Sequence, residues 1–79
     1  MVTMSYDMAR VFECTRTGHG ASMPEIKRLL EWPLNRIIKA SKALHEQACI
    51  DIHARGGEMF LQATAVGDDA YRRFNDIPF

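Results

Sequence analysis

Near Gln47 the spacing of the apolar residues changes from helical to alternating, and that change limits the folds open to the chain. Before it, apolar residues recur every three or four positions; after it, Ile50 and Ile52 alternate with Asp51 and His53. Arg55-Gly56-Gly57-Glu58 then reads as a turn and Met59-Phe60-Leu61-Gln62-Ala63 as a second β-like run, so the two runs form a hairpin with a short tip. The chain has 79 residues, which allows one domain with a small core. Its class is α+β, with the core expected over about residues 8–75.

The helical part divides into three. Met8, Val11, Phe12 and Thr15 form one stripe of a helix over about 5–16, with Ser5 as its N-cap and Asp7 in its first turn. Thr17-Gly18-His19-Gly20-Ala21 breaks it. Ser22-Met23-Pro24-Glu25 is a capping box that opens a second helix over about 23–31. Trp32-Pro33 ends that helix, because the residue before a proline is driven out of the helical region. Pro33 can open the third helix, about 33–47, with Leu34, Ile37, Ser41 and Leu44 on one face. After the hairpin, Thr64 caps a last helix over about 65–75, with Tyr71 and Phe74 as its apolar stripe. Three helices, a hairpin and a C-terminal helix are the element order of a winged helix-turn-helix.

Composition excludes several classes. The chain is 47% hydrophobic and 25% charged, the balance of an ordinary globular protein. No apolar run approaches the roughly 18 residues of a membrane span, and Met1 to Asp7 lack the basic flank and apolar stretch of a signal peptide. The expectation is a soluble cytoplasmic protein with no membrane partner, whose Cys14 and Cys49 stay reduced. Ten Lys plus Arg balance ten Asp plus Glu, which argues against unspecific polyanion binding by the whole chain but leaves a local basic face open. No catalytic triad, nucleophile elbow or phosphate loop is present, so neither an enzyme nor a cofactor is expected.

The segment from Ala21 to Ile37 resembles the helix-turn-helix of bacterial winged-helix regulators, in which a small residue and a Ser precede a Glu-Ile helix and a Leu-Pro turn opens the reading helix. Leu44-His45-Glu46-Gln47-Ala48-Cys49-Ile50 resembles their exit into the wing. Leu61-Gln62-Ala63-Thr64-Ala65-Val66-Gly67 is similar to the Leu-Thr-x-x-Gly that closes the wing in regulators of the multiple-antibiotic-resistance and related groups. The likeness spans roughly residues 8–74. Two positions depart from it: the turn between the helices carries Glu31-Trp32 where glycine is common, and the exit glycine is Ala48.

What the resemblance implies is a sequence-specific double-stranded DNA-binding protein, a small prokaryotic or phage transcriptional regulator with its third helix in the major groove. On that helix the face opposite Leu34, Ile37 and Leu44 presents Asn35, Arg36, Ile38, Lys39 and Lys42. Arg36 suits guanine, Asn35 suits adenine and Ile38 a thymine methyl, while Lys39 and Lys42 suit phosphates. Between Trp32 and His45 the chain has these three cations and no carboxylate. Arg55, beside Gly56 and Gly57, is placed to enter a minor groove. Lys27 and Arg28 can touch the backbone. Met4, Met8 and Ile77-Pro78-Phe79 are the candidate homodimer contact, since a dimer on a two-fold site strengthens weak single modules.

Two alternatives stand beside this reading. The neutral charge also fits a protein-interaction module that presents Trp32 and Ile38 to a protein partner. A metal- or redox-responsive regulator would draw on Cys49, Asp51 and His53, which period two puts on one strand face. No paired Cys-x-x-Cys accompanies them, so no metal site is assigned.

Overall fold

The computed structural model describes residues 3–75. Its elements run α1 (Tyr6–Cys14), β1 (Ala21–Ser22), α2 (Met23–Leu30), α3 (Leu34–Glu46), β2 (Ile50–Arg55), β3 (Glu58–Ala63) and α4 (Ala65–Asn75). The result is an α+β fold of four helices and one antiparallel sheet in the order β1-β3-β2.

Local chemistry fixes most boundaries. Ser5 Oγ accepts from Met8 N–H and starts α1. At α2 both arms of the capping box are made: Ser22 Oγ accepts from Glu25 N–H and the Glu25 carboxylate accepts from Ser22 N–H. Thr64 Oγ1 accepts from Gly67 N–H at the start of α4 and itself donates to the Ala48 carbonyl, which ties that helix to the chain entering β2. The hairpin turn is Gly56-Gly57 alone, with φ of 55° and 81°; two positive values in succession make the tight turn that matches strand twist. Arg55 and Glu58 therefore pair within the ladder instead of forming the turn.

The core gathers one stripe from each helix and one face of the sheet. Val11, Phe12 and Thr15 of the first predicted stripe have no exposed surface, and Ile37 and Leu44 of α3 are equally closed. Ile50 and Leu61 supply the sheet's contribution. Alternation along the strands puts Ile52 and Met59 on this helix-facing side and Asp51, His53 and Phe60 on the other.

Four expectations are corrected. Leu34 is 46% exposed: it opens α3 at the edge of the Ile37–Leu44 stripe and overhangs the hairpin side instead of entering the core. Met4 and Met8 are buried, taken up by the core that α1 closes, so they offer no homodimer contact; Ile77-Pro78-Phe79 lie outside the described residues. Cys49 precedes β2 and is fully buried, whereas Asp51 and His53 are exposed, so the three do not form one accessible strand face. The sequence predicts no strand at β1: it puts Ala21 in the break after the first helix and Ser22 at the N-cap of the second. These two residues pair with Leu61 and Phe60, some 40 positions away.

Candidate nucleic-acid interface

Core packing decides which way α3 presents its polar residues. Ile37, Ala40, Ser41 and Leu44 face inward. Helical spacing then puts Asn35, Lys39 and Lys42, at i, i+4 and i+7, on one outward stripe, and all three are exposed. Among the described residues neither lysine pairs with a carboxylate. Glu46, one turn beyond Lys42, is the first acidic group on the helix.

Arg36 and Ile38 flank that stripe on opposite sides. Arg36 turns toward α1, where its Nε and Nη2 donate to the two Asp7 carboxylate oxygens at 3.0 and 2.9 Å. Its guanidinium also lies 3.7 Å from the centre of the Trp32 ring. Asp7, Arg36 and Trp32 thus form one stack that joins the start of α1 to the start of α3. Trp32 is half-buried against the core and covered by the cation, so it stands as packing and not as a free surface anchor. Ile38 leans the other way, 49% exposed, toward the hairpin.

The stack sets a pH response. Hydrogen bonds from Arg36 hold the Asp7 carboxyl below its ordinary value. A carboxyl whose folded-state value is depressed contributes stability above its unfolded value and loses it as pH falls through the folded one. Asp7→Asn is therefore expected to lessen the fall in melting temperature that acid causes in the parent. Parallel acid limbs in the two proteins, followed by circular dichroism, would show the pair to be idle.

Arg55, at the end of β2, is exposed but engaged: Nη2 donates to the His19 carbonyl at 2.9 Å and the guanidinium lies 4.7 Å from the Phe60 ring centre. Lys27 and Arg28 are exposed on α2. Burial raises the Cys14 and Cys49 thiols above their ordinary value, so both stay protonated at neutral pH. Among the described residues no three His, Cys, Asp or Glu side chains gather as metal ligands, and no helix is long and apolar enough to cross a membrane.

One feature beside the stripe was not anticipated. Leu34 and Ile38 form one wall of a groove whose other wall is the hairpin, with Met59 54% exposed across from them. The sequence signal was there in the i, i+4 pair of large apolar residues outside the Ile37–Leu44 face. The chain matches no protein-family model, and no curated protein matches it.

Proposed function

We propose that the chain is a winged helix-turn-helix domain that binds double-stranded DNA, with α3 as the major-groove helix and the β2–β3 hairpin as the wing. The observation that carries this reading is the Asn35-Lys39-Lys42 stripe, exposed along one face of α3 with no carboxylate partner among the described residues. Supporting it are the three-residue turn between α2 and α3 and the hairpin that follows α3 directly. Asn35 is the base-reading residue, and Lys39 and Lys42 neutralise phosphates. Arg36 serves here to fix α3 on α1; a base contact by it would require giving up Asp7. Arg55 reaches a minor groove only by leaving His19 and Phe60. The biological role proposed is a small cytoplasmic transcriptional regulator of prokaryotic or phage type. A two-fold homodimer would strengthen so few phosphate contacts, and its contact surface lies elsewhere than Met4 and Met8.

The test is fluorescence anisotropy on a pool of genomic fragments at two salt concentrations, with the wild type and Asn35→Ala. The expected result is salt-sensitive binding to a subset of fragments, with the preference among them flattened in Asn35→Ala while affinity for the rest is kept. Absence of binding to any fragment at low salt overturns the proposal.

A further inference from the structure

The groove between α3 and the hairpin has a volume of about 500 Å³. Three of the six large apolar residues that are exposed among the described residues, Leu34, Ile38 and Met59, stand on its walls. Exposed apolar residues scattered singly are ordinary; three converging on one concave surface give that surface an apolar face that a partner can cover. Ser41 lies in the lining with its hydroxyl buried and without a hydrogen-bond partner among the described residues, a polar atom that an occupant can satisfy. Among the described residues the ionisable groups of the lining are Lys42 and His45, and no carboxylate joins them.

Shape and charge together select the occupant. The α3 wall runs from Leu34 to His45, about 16 Å at helical rise, or three turns. Walls half open along that length suit a rod laid into them better than a small molecule, which a cleft encloses over most of its surface. We infer that this groove receives an amphipathic helix of a partner protein, with its apolar stripe against Leu34, Ile38 and Met59 and its carboxylates toward Lys42 and His45. Such a helix-in-groove contact uses anchors at i, i+3/i+4 and i+7, and methionine lets the wall adapt to them. Lys42 belongs both to this rim and to the stripe assigned to phosphates, so an acidic helix seated here excludes DNA from the same face.

The experiment uses the whole chain and two fluorescein-labelled designed helices of about 18 residues, long enough to hold helical structure. Both carry the same leucine stripe; one has glutamate on its flanks and its twin has lysine. The expected result is saturable binding of the acidic peptide, about tenfold tighter than its twin, with that preference lost in Lys42→Glu. Ile38→Ser is expected to weaken the acidic peptide at least about fivefold, within the range of a single interface residue. Both positions are exposed, so circular dichroism melting of the variants should match the parent. Equal affinity for the twins, full affinity in Ile38→Ser, or no saturation up to about 1 mM overturns the inference. So does a parent dimer in sedimentation that Ile38→Ser dissociates, for the groove would then belong to a second copy. No DNA enters the measurement, so the outcome is independent of the major-groove proposal.

Discussion

Gly67→Ala is expected to lower the melting temperature by about 8–16 °C, the shift that a net loss of about 2 kcal/mol gives a domain of this size. Gly67 lies in the first turns of α4, where a β-carbon would overlap the Cys49 carbonyl and the Phe12 ring. Neither neighbour can step aside: one is backbone, and the other is a wholly buried ring at the centre of the core. Forcing an extra carbon into such packing costs about 3 kcal/mol, at the upper end of the usual range. The gain in helix propensity returns about 1 kcal/mol, so the clash wins. Gly18→Ala is the control, because a β-carbon there meets nothing within 4 Å. An unchanged or raised melting temperature in Gly67→Ala would mean that α4 does not press on Phe12 and Cys49.

This close approach also gives a physical reason for a motif that the sequence offered only as a pattern. The last residue of Leu61-Gln62-Ala63-Thr64-Ala65-Val66-Gly67 needs no side chain because α4 crosses the chain at Cys49, and Thr64 secures the crossing by binding both Gly67 N–H and the Ala48 carbonyl. The two departures from the pattern have a matching explanation. Glu31 has φ of 56° and Ala48 has φ of 59°, so the backbone is left-handed at both positions where the resemblance led one to look for glycine. A residue with a β-carbon tolerates this at about 1–2 kcal/mol. Tertiary contacts on either side hold the turns in place.

Local signals made the elements legible. Capping residues, proline and glycine act within four or five positions, and α1, α2, α3, the hairpin and α4 all fell within two residues of their predicted ends. What was hidden required partners distant in sequence. Strand β1 has only two residues, too few for any period, and it exists because Leu61 and Phe60 arrive beside it. The role of Arg36 depended on Asp7, 29 positions earlier, and no helical wheel drawn on α3 alone contains that carboxylate. For Leu34 the spacing on α3 puts the residue on the same face as Ile37 and Leu44, whereas the structure leaves it 46% exposed beside the hairpin. Within the candidate site, then, the outward direction of Asn35, Lys39 and Lys42 was readable, because it follows from one helix and its core stripe. The apolar groove was readable only in its α3 wall, the Leu34–Ile38 pair, because its second wall is the hairpin.

The double variant Lys39→Ala, Lys42→Ala is expected to reduce DNA affinity by about thirtyfold at 0.15 M salt, and to flatten the salt dependence. Each phosphate contact contributes about 0.9 to the slope of log affinity against log salt, so two contacts remove roughly 1.8. Taken against a 1 M reference, a slope of 0.9 is worth about 5.5-fold per lysine at that salt, and the two together give the thirtyfold figure. Both side chains are exposed and pair with no carboxylate among the described residues, so their loss should leave folding untouched, and an unchanged melting temperature is part of the expected result. The slope matters more than the affinity. A fall in affinity with an undiminished slope would mean that the lysines act on something other than phosphates, and the α3 stripe would lose its assigned role. Lys27→Ala, Arg28→Ala, on the exposed face of α2, is the comparison, since those cations sit off the α3 stripe. An equal flattening there would spread the interface across both helices, whereas a smaller one concentrates it on the outward face of α3.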